Sequence, residues 1–266
     1  MAFYTQYDVS EQSQRYFKKV WCLDNSSNKA KILEKSSLPN GCQNIAIIHG
    51  QGVTLTTRKK SFALASGSFL TGQMTARVEV EIDAFTRIIL IQLHPWAASS
   101  LFDLLGFTDE VREVDDAIFQ GGVSLNPATT CCPKELANSL NRYCDKTAAT
   151  QKVSLVERVC RQIGDVSFDN NVTNLMASQP YSKRTLQTAF KKATGLTIKQ
   201  YADIIRLRSA VDSVYKNQNV SGAGVLAAVD HQFYDQSHLA KSFKRVVKVS
   251  PSKFDRTKFI MPTDDE

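Results

Sequence analysis

The chain has 266 residues, 42% of them hydrophobic and 22% charged, with a net charge of +7, which is enough apolar material for two cores of ordinary size and excludes a disordered chain. No run of about eighteen apolar residues occurs, and the opening MAFYTQYDVSEQSQRYFKK lacks an apolar stretch before a small-residue cleavage site, so neither a membrane span nor an export signal is expected and the cytoplasm is the expected location. The charge is uneven: residues 1–151 carry 15 Lys and Arg against 15 Asp and Glu, residues 152–258 carry 18 against 8, and residues 259–266 carry none against 3.

A basic block beside a neutral one points to a polyanion-binding module joined to a module with another task. The boundaries that follow are 1–148 for the first, 152–258 for the second, and an acidic tail at 259–266. Within the first module, residues 38–93 read as strands. They are Ile45 to Ile48, Val53 to Leu55, Phe62 to Ala65, the alternating run Met74 to Ile82, and Phe85 to Leu93. Turn signals separate them at Asn40-Gly41, Gly50, Gly52, Gly67 and Gly72. A small β-barrel or curled sheet is the expected outcome. Helical patterns follow from Trp96 to Leu105 and at Leu136, Leu140 and Tyr143, whose apolar face can pack on the barrel or on a second chain.

Six cysteines are scattered along the chain (Cys22, Cys42, Cys131, Cys132, Cys144, Cys160), and no C-x-x-C pair or other metal-ligand spacing is present, so no metal and no cofactor is expected. Gly50-Gln51-Gly52 is too incomplete for a phosphate loop. The vicinal Cys131-Cys132 pair admits a redox reading, with inert thiols as the ordinary alternative.

The basic block contains an internal repeat. SKRTLQTAFKKATGLTIKQY, from Ser182 to Tyr201, overlays DQSHLAKSFKRVVKVSPSKF, from Asp235 to Phe254, without a gap. Leu186 falls on Leu239, Phe190 on Phe243, Lys191 on Lys244, Lys192 on Arg245 and Tyr201 on Phe254. Each copy reads as a helix capped by Ser182 or Asp235. Leu186, Ala189, Phe190 and Ala193 recur at i, i+3, i+4 and i+7 and make a packing stripe; Arg184, Gln187, Thr188 and Lys191 make a polar stripe on another face. In the second copy the polar positions are Ser237, Ala240, Lys241 and Lys244, flanked by Gln236 and His238. A short apolar segment precedes each copy: Val172, Leu175 and Met176 before the first, and Val225, Leu226, Ala228 and Val229 before the second. The unit is helix, short turn, capped helix. Between the copies, Thr197 caps a continuous helix from Ile198 to about Asn217, spanning roughly 30 Å. That length approaches the ~34–36 Å repeat of successive major-groove faces on one side of a duplex.

From about Val153 to Arg256 the sequence resembles the AraC/XylS type of bacterial regulator. The residues that carry the resemblance are Ser182, Arg184, Leu186, Phe190, Lys191 and Gly195; then Tyr201, Arg206-Leu207 and Ala210; then Phe233 to Arg245 and Val249 to Phe254. It implies an α+β chain, with a β-rich N-terminal domain and an all-α C-terminal domain of two helix-turn-helix units (about 170–195 and 223–248) joined by a linker helix (198–217). It further implies a sequence-specific, non-enzymatic transcription regulator of double-stranded DNA, with RNA polymerase, a small-molecule effector and a second copy of the chain as candidate partners, and no membrane. Base-edge contacts are carried onto Arg184, Gln187 and Thr188, and onto Gln236, Ser237, His238 and Lys241. Side-chain chemistry agrees for the first set: Arg forks onto guanine, Gln onto adenine, and the Thr methyl meets a thymine methyl. Lys183, Lys191, Lys192, Lys244 and Arg245 suit phosphates. His238 lies one residue beyond the best-aligned face, so capping or packing competes with base reading there. Two departures stand out, Gln232 and Lys248 in place of the family's glycines, and a side chain in the left-handed region costs on the order of 1 kcal/mol.

Pro39 to Cys42, Phe69 to Gln73 and Pro95 resemble the sensor-type domain that some AraC relatives carry ahead of the DNA-binding part. On that resemblance His49, Gln92, His94 and Trp96 are the candidate effector residues, with core or surface roles as the alternative. Two other functions compete with the regulator. One is a DNA-targeted enzyme with Cys42 or Cys132 as nucleophile, although no Cys–His–acid arrangement can be assembled from local signatures. The other is a helical protein-interaction adaptor that no longer touches DNA.

Overall fold

Apolar alternation in the N-terminal half builds two antiparallel sheets, seen in a computed structural model that describes residues 4–147, 154–165, 168–169, 171–216, 231, 233 and 235–260. The larger sheet has the strand order β1 (Tyr4–Tyr7), β2 (Phe17–Asn25), β9 (Thr86–Leu93), β4 (Gln43–His49), β7 (Gly67–Thr71), β10 (Val111–Glu113). The smaller has the order β3 (Ile32–Ser37), β8 (Val78–Ile82), β5 (Val53–Thr56), β6 (Ser61–Leu64). Strands β2, β4 and β9 each carry a continuous apolar run, Val20 to Leu23, Ile45 to Ile48 and Ile88 to Ile91, because both faces of the larger sheet are covered there. Ile45 and Ile47 of β4 enter a core shared with the helices, whereas Ala46 and Ile48 enter a second core between the sheets, with Trp21, Leu23, Val80 and Ile82. The sheets curl over one another and do not close into a barrel.

Three strands lie ahead of residue 38, where the sequence places its first. Their period-2 signal is broken by register shifts, between Phe17 and Lys19 in β2 and between Ile32 and Lys35 in β3, where Glu34 adopts φ 59. The strand expected from Met74 to Ile82 is limited to Val78–Ile82. Thr75 instead donates its N–H and hydroxyl to the Asp109 carboxylate, at 2.8 and 2.7 Å. The helix expected from Trp96 to Leu105 is α1 (Ala97–Phe102), stopped by Asp103 at φ 50. In α2 (Pro133–Thr147), Leu136, Leu140 and Tyr143 are buried in the chain's own core, leaving Lys134, Glu135, Asn138 and Arg142 outermost.

Among the described residues five helices follow: α3 (Leu155–Gly164), α4 (Val172–Ala177), α5 (Lys183–Thr194), α6 (Ile198–Lys216) and α7 (Gln236–Val247). The start of α6 is a reciprocal cap. Thr197 Oγ1 accepts from the Gln200 N–H at 3.2 Å, and Gln200 Oε1 accepts from the Thr197 N–H at 2.9 Å. Its 19 residues span about 28 Å. The segment expected to support the second unit (Val225, Leu226, Ala228, Val229), Gln232 in its turn, and the tail from 261 lie outside the described residues.

The first helical unit shares its core with the sheets: Leu186, Phe190, Leu196 and Tyr201 belong to one cluster with Ile45, Ile91 and Leu93. Three close approaches fix this docking. A Cβ on Gly41 would stand 2.7 Å from the Tyr201 ring, and one on Gly106 only 2.2 Å from the Gly195 nitrogen. Arg15 of the N-terminal half forks onto the buried carboxylate of Glu157 in α3, at 3.0 to 3.3 Å. The second unit docks too, through the Arg77 N–H to the Val246 carbonyl (3.1 Å) and the Ile260 N–H to the Ser36 carbonyl (2.7 Å).

Candidate nucleic-acid interface

The two repeat copies fold alike. Ser182 Oγ caps α5 by accepting from the Thr185 N–H at 3.1 Å, and Asp235 Oδ1 caps α7 by accepting from the His238 N–H at 2.6 Å. Leu186 and Phe190 in one helix, and Leu239 and Phe243 in the other, are completely buried. Each buried Phe meets an aromatic ring eleven residues on in the sequence, Phe190 with Tyr201 at 5.7 Å and Phe243 with Phe254 at 5.5 Å. Each helix ends on a left-handed residue, Gly195 at φ 79 and Lys248 at φ 69. Lys248 therefore occupies the conformation that glycine adopts more cheaply.

Packing of the apolar stripes turns the polar stripes outward. Lys183, Arg184, Gln187, Thr188, Lys191 and Lys192 are exposed on α5, and Gln236, Ser237, His238, Lys241, Lys244 and Arg245 are exposed on α7. Ala240 is partly covered. The Gln187 amide reaches Met176 Sδ at 3.9 Å, and the backbone carbonyl of Lys192 accepts from the Gly106 N–H at 2.8 Å. The edge of the His238 ring packs on Phe233 at 5.5 Å, so this residue braces the start of α7 besides facing solvent.

Of the four candidate effector residues, the fold brings three together. Gln92, His94 and Trp96 line a cleft of about 650 Å3 between the larger sheet and helices α3 and α6. His94 stacks on Trp96 with centroids 4.5 Å apart, and the indole N–H donates to the Arg15 carbonyl at 3.0 Å. Burial, helped by the positive charges of Lys18 and Arg161, pushes the His94 imidazole down to about 4, so it is neutral at neutral pH. His49 stands at the far end of β4, where burial and the charge of Arg87 lower its pKa as well. The cleft also holds Lys18, Lys19, Arg161 and Arg208, which sequence reading did not single out. Arg208 is the least legible of them, since it lies inside a helix read as a spacer.

Two sequence families match the chain. The one described as "Helix-turn-helix domain" matches residues 177–257, and "Domain of unknown function (DUF6597)" matches residues 6–108. No curated protein matches significantly. Among solved structures, ToxT from Vibrio cholerae O395 is similar over 94% of this chain and 96% of its own, at 12% identity and a TM-score of 0.46. Unsaturated fatty acid-bound ToxT from Vibrio cholerae strain SCE256 is similar over 93% and 96%, at 11% and 0.44. The AraC-like transcriptional activator CuxR is similar over 80% and 77%, at 11% and 0.24. With the duplicated capped helices and the family match in the same stretch, residues 177–257 of this chain form a helix-turn-helix domain.

Proposed function

We propose that a single chain reads two successive major-groove segments of one duplex, with α5 in one and α7 in the next, and that an effector held by the N-terminal half controls this reading. The observation that carries it is the duplication itself: same cap, same buried Leu and Phe, same outward polar stripe, joined by a helix of nearly one groove repeat. Arg184, Gln187 and Thr188 take the base edges in the first segment, and Gln236, Ser237 and Lys241 in the second, with His238 divided between Phe233 and the groove. Lys183, Lys191, Lys192, Lys244 and Arg245 take phosphates. RNA polymerase is the partner that such binding recruits or excludes, and the cytoplasm is where both meet DNA. A second copy is not needed for two contacts, and the apolar residues of α2 are already used inside the chain.

The effector reading rests on three adjacent cavities that share lining residues. An apolar chamber of about 100 Å3 lies between the two sheets, lined by Trp21, Ile48 and Val80 among others. It shares Trp21, Asn44, Met74 and Ile260 with a narrow throat, which in turn shares Asn40, Cys42, Gln92 and Arg208 with the polar cleft. That sequence of surfaces suits a small acid with a short apolar tail. Titrating a short straight-chain fatty acid into Trp96→Phe protein, in which Trp21 is the remaining tryptophan, should alter Trp21 emission; an unchanged spectrum contradicts this placement.

The thiols of Cys22, Cys144 and Cys160 are all pushed up by burial, Cys22 to about 11, which suits structural side chains better than nucleophiles. The direct test of the regulator is selection of a preferred duplex from a random pool by the full chain. Arg184→Ala should then lose about 1–3 kcal/mol on that duplex and relax the choice at one base position. Unaltered preference would refute the assignment of Arg184.

A further inference from the structure

Between the two helical units lies a second cleft, of about 850 Å3, that belongs to neither reading stripe alone. Two helices face each other across it. From α6 come Lys199, Ala202, Asp203 and Arg206, at i, i+3, i+4 and i+7; from α7 come His238, Lys241, Ser242 and Arg245, with the same spacing. Ala202 at 4% and Ser242 at 9% exposure are small and buried, so the floor between the stripes is open, while Lys199, Arg206, Lys241 and Arg245 stand around it. Lys199, Lys241 and Arg245 are exposed. Arg206 is committed: it pairs with Asp203 at 2.9 Å and lies over the Phe233 ring at 4.6 Å. Of the two acids on the cleft, Asp203 is thus neutralised, leaving Asp169 against three cationic side chains that form no ion pair among the described residues. The start of α4, Asn171 to Thr173, closes the third side, so both helix-turn-helix units contribute walls.

We propose that this cleft is a phosphodiester-binding saddle, which holds the strand of the duplex that passes from one reading helix to the other, with Lys199 and Arg245 as its phosphate contacts. The proposal rests on the regulator reading above and adds to it a site on the linker helix. A duplex spanning two major-groove segments must present its backbone between them, and a polyanion recognised by lysine and arginine without base reading fits a cleft of net positive charge whose rim includes Lys241 of the reading stripe. On this geometry α6 is more than a spacer: its Lys199 edge touches the nucleic acid and sets the register of α5 against α7.

The test uses the full chain and a fluorescein-labelled 40-base-pair duplex of mixed sequence, alongside the duplex selected from a random pool, titrated from 50 to 200 mM KCl. Lys199→Ala should lower the slope of log affinity against log salt by about 0.9 and weaken binding roughly eightfold near 0.1 M salt, equally on both duplexes. Lys199→Arg should restore both quantities. If Lys199→Ala leaves the slope at the parent value while Arg184→Ala still loses base preference, the saddle is wrong and the regulator reading stands. If the parent chain binds no duplex at all, both fall together.

Discussion

Glu157 shows how one side chain joins the two halves. Its carboxylate is 2% exposed and is held by Arg15 from the sheet side and by Arg161 from its own helix, both at 3.0 Å. Two cations around a buried carboxylate make its removal costly, above all because the largely buried Arg15 guanidinium loses the Glu157 carboxylate. Glu157→Ala should lower the urea-unfolding free energy by about 3 kcal/mol; a loss under about 1 kcal/mol would show that the pair does not hold the halves together. Gln43 is the opposite case. It is completely buried at the start of β4, and neither amide atom has a partner among the described residues. Each unmet polar atom costs about 1–3 kcal/mol, so Gln43→Met should stabilise the chain, and a destabilised variant would show that the amide is satisfied in solution. His94 sets a pH dependence. Its folded value of about 4 lies below the ordinary 6.5, so the unfolded chain takes the proton first. Stability is therefore full above about pH 6.5, falls as pH drops toward 4, and loses up to about 3 kcal/mol across that window. His94→Phe should flatten the profile there; an unaltered slope would contradict the burial of this ring.

At the scale of elements, the capped helices were legible and the early strands were not, for a physical reason. A repeat of Leu and Phe at fixed spacing is copied twice in the sequence, and the same residues fill both cores, so α5 and α7 could be placed nearly to the residue. In β2 and β3 the ladder shifts register, and a period-2 search loses phase. Three effector candidates share the cleft because β9 and the turn after it carry them on one edge, whereas His49 sits at the other end of β4, a separation that linear sequence hides. The approach of the loop before Phe107 to the end of α5 was also hidden, since it needs glycine on both sides: Gly106 against Gly195, with the Gly106 N–H donating to Lys192. Gly106→Ala cannot keep that contact. Amide exchange in the last turn of α5 should quicken by about tenfold, equivalent to ~1.4 kcal/mol, while β4 and β9 stay protected. Unchanged exchange at Lys191 to Gly195 would mean the loop does not brace the helix.

In the whole molecule, both helical units are docked on the sheets while the polar stripes of α5 and α7 stay open to solvent. The first shares a hydrophobic core with β4 and β9, and the second adds a short bridge from Phe259 to Ser36 at the edge of the smaller sheet. A molecule entering the cleft beside Arg208 therefore touches the sheet half and the linker helix at once, and the distance between α5 and α7 is tied to that helix. The most direct measurement of the central claim is hydroxyl-radical footprinting of the full chain, at one chain per duplex, on the sequence it selects. Two protected patches on one face of the duplex, about 10 base pairs apart, one weakened by Arg184→Ala and the other by Lys241→Ala, are the predicted result. A single patch, or two patches that appear only when a second chain is bound, would contradict it.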